Sequence, residues 1–455
     1  MAQRETWSTR TGFILAAVGS AVGLGNIWRF PFAVGDGGGA AFLIVYLAFI
    51  ALIGFPAILA EFVVGRKTGR NPVGALMEYG GEAWKYVGGV FVFIGIVLLS
   101  YYSVIAGWFI RYFLAGFRGS YADHLASYNG EAIEMFFDMT FGMSSVVLHT
   151  VFMAATIGIV ALGIRQGIEL AVKLMVPALI VLLVGLAVWA FTLDGAGAGY
   201  AYYLSPDAGT IAENWATLLP AAAGQAFFTL SLGMGVMITY ASYLGEDRNL
   251  TKDAATIIGF DTGIAFLAGL VVFPVFFSGG IEPGEGGPIT IFVSMTEAFA
   301  NIPGGRVLGL VFFGTVVIGA LSSAISLLEV VTAYLIDEKG VERWKAAGGI
   351  GLLIYVIGLP TTYDIIFIEL YDGFIDAVLL VFGALMVMIL VGWVAPKVAV
   401  TELEKGIGDL NGLAQAWIWA IRVPIIIVLV ISLYLGIVDY MDILASFSEW
   451  MNANL

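Results

Sequence analysis

The sequence predicts an all-α polytopic membrane protein of about eleven transmembrane helices. Of its 455 residues, 60% are hydrophobic and only 12% are charged, and the mean hydropathy is +0.96. A soluble globular domain has about 25% charged residues, so this chain has too little polar surface to face water on all sides. At about 20 apolar residues per helix, the length allows roughly ten to twelve spans. The apolar runs are continuous, which excludes the alternating pattern of a membrane β-barrel.

Charged residues or Gly and Pro clusters bound the apolar runs and so delimit the helices. We predict helices at 10–35, 40–65, 86–117, 143–163, 168–192, 215–243, 253–278, 304–336, 347–360, 372–395 and 417–437. Most Lys and Arg residues fall in the segments on the side of the N-terminus, whereas Arg111, Arg118 and Arg306 fall on the other side. Because cytoplasmic loops have an excess of Lys and Arg, we predict a multi-pass plasma-membrane protein. Its N-terminus is expected to be cytoplasmic and its C-terminus extracellular.

Glycines interrupt the first and sixth runs. The first run contains Gly19, Gly23 and Gly25, and the sixth contains Gly233 and Gly235. Interrupted helices at corresponding positions in two halves of a chain indicate a transporter binding site near the middle of the membrane. Small residues spaced by four also serve helix packing, so either helix taken alone would be ambiguous.

The positions of these two helices predict an internal repeat. Counting five helices from each gives blocks at 10–192 and 215–395, followed by an additional helix at 417–437. Because five is odd, the second block must enter the membrane from the opposite side. We therefore predict one transporter domain, 1–455, built as a 5+5 inverted repeat with broken helices 1 and 6.

Composition argues against several other classes of protein. The net charge of -14 is unsuited to nucleic acid, because phosphate binding needs a basic surface. The chain has no cysteine and only two histidines, and it has no HExxH, Walker or histidine-associated GxSxG motif. We predict neither an enzyme nor an organic cofactor.

Five motifs in the chain are those of a known transporter family. They are VGLGNIWRFP at 22–31, GGGAAF at 37–42, GQAFFTLSLGMG at 224–235, TYASY at 239–243 and ALSS at 320–323. With these motifs the chain closely resembles the neurotransmitter:sodium symporter family, in its prokaryotic amino-acid transporter branch. The resemblance implies the LeuT-like fold and sodium-coupled symport.

Two sodium sites are implied by the resemblance, and both consist of oxygen ligands at broken helices. Taken alone, Ser322 and Ser323 would be expected to hydrogen-bond between helices. The positions that match the first site are Ala21, Asn26, Thr229 and Asp261. The positions that match the second site are Gly19, Val22, Gly319, Ser322 and Ser323.

The implied substrate pocket lies between the two interrupted segments. The substrate carboxylate would lie at the end of the helix dipole near Gly23 and Gly25, facing Tyr102, and the ammonium group near Phe228 and Ser231. Family members that transport monoamines have an aspartate at the position of Gly23, so here the ligand must carry its own carboxylate. The mainly apolar pocket favours aliphatic or aromatic L-amino acids. The matching positions are Ser20, Ala21, Gly23, Gly25, Leu98, Tyr102, Phe228, Thr229, Ser231, Met234, Ser323 and Leu327.

Gates on both sides of the pocket are also implied. Arg29 would pair with Asp372 on the outer side, above Phe228. An arginine in an apolar helix is costly and normally functional; the alternative is that Arg29 extends to the lipid headgroups. The matching residues of the inner gate are Arg4, Asp337, Trp7 and Tyr243.

Chloride is where this chain departs from part of the family. Chloride-dependent members have a serine at the position of Ala265 and an asparagine at that of Asp261, and their other chloride ligands match Tyr46, Gln225 and Thr229. Positions 261 and 265 lie one helical turn apart, so the Asp261 carboxylate would replace the anion. We therefore predict chloride-independent transport.

Two alternatives share the same fold and stay open at this point. A transporter-like amino-acid sensor would bind substrate without moving it, and a sodium-conducting channel would dissipate the gradient. The sequence predicts the lipid bilayer and a small amino acid as partners, and it does not predict the oligomeric state. Glu61 and Glu329 each lie in an apolar run and are expected to be buried acids bonded to neighbouring helices.

Overall fold

Helices make up the architecture in the computed structural model, which describes residues 6–283, 289–408, 410 and 412–454. Within these residues, nine helices are long and apolar enough to cross a membrane, and the bent pair Arg10–Ala21 and Gly25–Asp36 makes a tenth. The sixth predicted helix is divided between Ala208–Thr229 and Val236–Ala241. The nine helices are Ala40–Thr68, Glu82–Arg118, Met143–Ala161, Ile164–Ala190, Leu250–Gly279, Gly305–Lys339, Arg343–Thr362, Ile365–Val394 and Gly412–Asn454.

We refer to these spans in chain order as the first to the eleventh helix, with the divided helix as the sixth. The side of the molecule on which residue 6 lies is called the N-terminal face, and the other side the opposite face. The division into repeats at 10–192 and 215–395 remains a prediction.

Two helices begin seven residues before their predicted starts. The sixth begins at Ala208 rather than 215, because the Asp207 side chain accepts a hydrogen bond from the Gly209 N–H at 2.9 Å and caps the helix. The tenth begins at Ile365 rather than 372, where Asp364 caps in the same way. Apolar patterning does not report such caps.

The eleventh helix, Gly412–Asn454, is much longer than the predicted 417–437. Trp450 Nε1 donates a hydrogen bond of 3.0 Å to Asp364, and the Trp450 ring packs against Phe367 with ring centroids 5.3 Å apart. Tertiary contacts with the start of the tenth helix therefore support the helix after its apolar run has ended.

Short helices cover both faces between the spans. On the opposite face, Phe292 of the helix Thr290–Asn301 packs on Phe109, with ring centroids 4.4 Å apart. The other short helices on this face are Tyr121–Ala126, Ala132–Thr140 and Ala196–Leu204. Those on the N-terminal face are Pro72–Gly80 and Pro396–Glu404.

Ion pairs tie the elements of the N-terminal face together. Arg66 Nε donates to Glu402 Oε1 at 2.7 Å, and both side chains are almost fully buried. Lys405 Nζ lies 2.5 Å from Glu246 Oε1, and this hydrogen bond lowers the pKa of Glu246. The second helix, the loop after the sixth helix and the helix Pro396–Glu404 are therefore held to one another.

The first, third, sixth and eighth helices surround the middle of the molecule. The third and eighth helices form the largest helix–helix contact, and the segment Arg10–Ala21 packs against the fifth and eighth helices. This packing places the breaks of the first and sixth helices beside the third and eighth.

Candidate functional site

The first helix is broken in the middle of the molecule. Its α-helical part ends at Val22, which is extended with φ -83° and ψ 94°, and the segment that follows is bent by 46°. A Cβ atom at position 23 would lie 2.7 Å from Tyr102 Oη and would overlap the hydroxyl of Ser323. Glycine at this position therefore lets the broken backbone approach the third and eighth helices.

The sixth helix is broken between Thr229 and Val236. Ser231, Gly233 and Gly235 have φ angles of 53°, 73° and 78°. These left-handed conformations suit glycine and are strained for serine. Glu61 Oε1 accepts a hydrogen bond of 2.8 Å from the Gly233 N–H, which confirms that Glu61 is a buried acid bonded to a neighbouring helix.

A closed cavity lies between the two breaks. Among its lining side chains the most exposed is Phe228, at 9%. Every residue of the predicted pocket except Thr229 lines this cavity, and Ser326 lines it as well, which the sequence analysis did not predict. The lining residues are Ser20, Ala21, Gly23, Gly25, Leu98, Tyr102, Phe228, Ser231, Met234, Ser323, Ser326 and Leu327.

The residues of the first predicted sodium site form one buried cluster next to the cavity. Asn26 Nδ2 donates to Asp261 Oδ1 at 2.8 Å, and Thr229 Oγ1 donates to the same oxygen at 3.0 Å. All three residues are 0% exposed, while Ala21 lines the cavity beside them. A buried carboxylate is costly unless it is paired, and the surrounding carbonyl, amide and hydroxyl oxygens suit a hard cation.

The second predicted site lies between the broken end of the first helix and the eighth helix. Ser322 Oγ is 2.8 Å from the Gly319 carbonyl and 3.4 Å from that of Val22. Ser323 Oγ is 3.4 Å from the Gly19 carbonyl. The structure therefore brings together all five residues whose oxygen atoms the resemblance implies as sodium ligands.

The predicted outer gate differs in one partner. Arg29 forms its ion pair with Asp376, and its guanidinium carbon lies 4.8 Å from the centre of the Phe228 ring. Asp372 instead accepts a hydrogen bond from Tyr101 Oη at 2.7 Å. The predicted direct pair between Arg29 and Asp372 is thus corrected to Arg29 and Asp376, which follows Asp372 by one helical turn on the same face.

Trp7 and Tyr243 of the predicted inner gate pack against each other on the side of the N-terminal face. Trp7 Nε1 donates to the Tyr240 carbonyl at 3.0 Å, and its ring packs edge-on against Tyr243, with centroids 6.1 Å apart. Tyr243 Oη donates to Glu329 at 2.7 Å, which confirms that Glu329 is a bonded buried acid.

Of the predicted pair of Arg4 and Asp337, the structure describes only Asp337. Asp337 accepts a hydrogen bond of 3.0 Å from the Asn71 N–H. Arg4 lies outside the described residues, so its pairing with Asp337 stays a prediction.

Comparison with known proteins decides the family. The sequence profile described as the sodium:neurotransmitter symporter family matches residues 4–140 and 131–453. The chain belongs to this family. It is therefore a sodium-dependent symporter that crosses the membrane several times.

Relatives of this symporter occur in bacteria and archaea. The chain is 32% identical to an uncharacterized sodium-dependent transporter, YhdH, of Bacillus subtilis, over 95% of this chain and 98% of the relative. It is 34% identical to an uncharacterized sodium-dependent transporter of Methanocaldococcus jannaschii, over 95% of this chain and 90% of the relative. The crystal structure of MhsT in complex with L-phenylalanine has a TM-score of 0.85 and 37% identity, covering 95% of this chain and 100% of MhsT.

Two residues of the symporter's site escaped the sequence analysis. Ser326 follows Ser322 by one helical turn, so a helical projection from Ser322 and Ser323 could have placed it near the cavity. Asp376 could have been weighed against Asp372 by the same reasoning. Which of the two acids reaches Arg29 depends on the packing of the first helix against the tenth, which the sequence does not report.

Proposed function

We propose that this protein is a sodium-coupled symporter of aliphatic or aromatic L-amino acids that works by alternating access. The observation that carries the proposal is the closed cavity. It adjoins two clusters of oxygen atoms that could bind sodium, at the breaks of the first and sixth helices. The cavity contains Leu98, Met234 and Leu327, which suit an apolar side chain. The complex of MhsT with L-phenylalanine gives independent support.

An amino acid rather than an amine fits the end of the cavity near Gly23. At the break, the Leu24 N–H donates a hydrogen bond of 3.2 Å to Tyr102 Oη. Gly23 has no side-chain carboxylate that could pair with an amine. A ligand carboxylate at the helix end would be stabilised by the partial positive charge of the segment that starts there. Its ammonium group would meet carbonyl oxygens near Phe228 and Ser231.

We further propose two sodium ions, one in each oxygen cluster. The cluster of Asn26, Thr229 and Asp261 adjoins the cavity, so the first ion and the substrate carboxylate would attract each other directly. The second ion would join the first helix to Ser322 and Ser323 of the eighth. Sodium and substrate would in this way stabilise the closed state together.

Alternating access is supported by closure on both sides of the cavity. Arg29, Asp376 and Phe228 close the opposite face, and Trp7 and Tyr243 close the N-terminal face. By the distribution of Lys and Arg, we assign the N-terminal face to the cytoplasm and the opposite face to the exterior. A continuous pore would leave the cavity lining open to at least one side.

We also propose that transport does not require chloride. Asp261 provides a fixed negative charge next to the first sodium site, and Ala265 offers no hydroxyl to an anion. Both residues are fully buried. Gln225 Nε2 donates a hydrogen bond of 2.8 Å to the Gly25 carbonyl, so this donor already has an acceptor without an anion.

Substrate counterflow in proteoliposomes tests this function against the two alternatives. Liposomes loaded with unlabelled phenylalanine or leucine in sodium should accumulate the labelled amino acid from outside, and replacing sodium with choline should abolish the exchange. A sensor would bind the label without exchanging it, and a channel would conduct sodium without substrate. Either outcome would refute symport.

A further inference from the structure

Three serine hydroxyls meet on one wall of the cavity. Ser20 Oγ lies 2.6 Å from Ser326 Oγ and 3.1 Å from Ser231 Oγ. These side chains come from the first, eighth and sixth helices, and each is at most 5% exposed. The cluster therefore joins three of the four helices that line the cavity.

The hydrogens of these hydroxyl groups all have acceptors within the protein. Ser326 Oγ donates to the Ser323 carbonyl at 2.7 Å, and Ser231 Oγ donates to the Ser20 carbonyl at 3.2 Å. The hydrogen of Ser20 has Ser326 Oγ as its nearest acceptor. Each hydroxyl has one hydrogen and two lone pairs, so what the cluster offers to the cavity is lone pairs, which accept hydrogen bonds.

The remainder of the side-chain subsite is apolar. Leu98, Met234 and Leu327 line it together with the Phe228 ring. An aliphatic side chain would need only these residues. A wall of hydroxyl acceptors adds a contact that only a ligand with its own hydrogen-bond donor can use.

We propose that Ser20 and Ser326 select amino acids whose side chain carries an N–H or O–H donor, such as an indole or a phenol, over apolar side chains of the same shape. The proposal rests on the proposed function and specifies the substrate class of the same site. Ser231 lies near the expected position of the ligand's ammonium group. We therefore assign Ser20 and Ser326 as the acceptors of the hydrogen bond from the ligand's side chain.

The preference should be modest. A hydrogen bond contributes about 0.5–1.5 kcal/mol net, and the serines already satisfy one another when an apolar side chain is bound. We therefore expect the donor-bearing amino acid to bind about three- to tenfold more tightly than its apolar counterpart.

Competition binding in sodium with pairs of equal shape tests the proposal. The pairs are tyrosine and phenylalanine, tryptophan and benzothienylalanine, and threonine and valine. In the pair that binds most tightly, the donor-bearing member should be preferred about three- to tenfold. Equal affinities in the unaltered protein would overturn the proposal without any variant.

Ser326→Ala assigns the preference to the hydroxyl. The ratio within the pair should fall toward one, because one of the two assigned acceptors is removed. A general loss of affinity cancels in this ratio. Ser100→Ala is the matched control, since Ser100 is a fully buried serine that donates to the Val97 carbonyl of its own helix, and it should retain the preference.

An unchanged ratio in Ser326→Ala would also overturn the proposal. Failure of the proposed function gives a different result, because no amino acid would then bind in a sodium-dependent way.

Discussion

The Asn26 side-chain amide donates a hydrogen bond of 2.8 Å to the Asp261 carboxylate. This bond joins the break of the first helix to the middle of the seventh helix. Thr229, at the end of the first half of the sixth helix, donates to the same oxygen. One carboxylate of the seventh helix therefore connects both broken helices, and any cation that binds it would stabilise all three helices.

Asp261→Asn should weaken the apparent affinity for sodium at least about tenfold, or make transport depend on chloride, because the fixed negative charge is lost. The measurement is uptake as a function of sodium concentration, in chloride and in gluconate. Asp194→Asn, at an exposed acid, is the control. Wild-type sodium dependence in Asp261→Asn would show that the carboxylate is not at the ion site. Loss of uptake by the unaltered protein in gluconate would refute chloride independence.

Gly23→Ala should reduce amino-acid binding by about 5- to 150-fold. The added Cβ would displace the Ser323 hydroxyl and lie 2.7 Å from Tyr102 Oη, and overpacking of this kind costs about 1–3 kcal/mol. Binding of labelled substrate in sodium is the measurement. Gly185→Ala is the control, since a Cβ there would have no neighbour within 4 Å. Equal affinities in the two variants would contradict the close packing at the break.

Asp376→Asn should open the outer side of the cavity more than Asp372→Asn does, because Arg29 pairs with Asp376. The chain has no cysteine, so Leu98→Cys provides a single reactive reporter in the cavity. We expect a membrane-impermeant thiol reagent to label it about tenfold faster in the Asp376→Asn background, given the strength of a partly buried ion pair. Faster labelling in the Asp372→Asn background than in Asp376→Asn would indicate that Asp372 is the partner of Arg29, as the sequence predicts.

Glu402→Gln should lower stability by about 3 kcal/mol, because it leaves Arg66 buried without its charged partner. Arg70 and Glu78 form a comparable pair at 2.9 Å, but their side chains are 48% and 47% exposed. Glu78→Gln should therefore cost less than about 1 kcal/mol. Thermal unfolding of both variants in detergent measures the difference. Similar unfolding temperatures would mean that the Arg66–Glu402 pair does not stabilise the N-terminal face.

Much of this architecture could be predicted because membrane helices have a strong and simple signal. The apolar runs indicated the spans, and the glycines at 23, 25, 233 and 235 indicated where two of them break. The helix ends could not be predicted from hydropathy, because capping by Asp207 and packing of Trp450 are local or tertiary effects that leave the apolar pattern unchanged.

The site was predictable where a residue matched a family motif, and less so elsewhere. The resemblance to the family predicts that Asn26 and Asp261 belong to one cluster, and their side chains are 2.8 Å apart. Ser326 matches no family motif, and only its position one helical turn after Ser322 could have indicated that it lies near the cavity. The choice of Asp376 over Asp372 required the side chains themselves, since both acids lie on the same face of the tenth helix.

Sodium-gradient-driven uptake in proteoliposomes tests the central claim most directly. A tenfold sodium gradient supplies about 1.4 kcal/mol per ion, and a membrane potential of about 100 mV adds about 2.3 kcal/mol per charge. Two ions together would supply roughly 7 kcal/mol, enough for about 10⁵-fold accumulation of a zwitterion. We predict concentrative uptake of an apolar L-amino acid that stops when the sodium gradient is collapsed. Uptake that proceeds equally with choline in place of sodium would contradict the account.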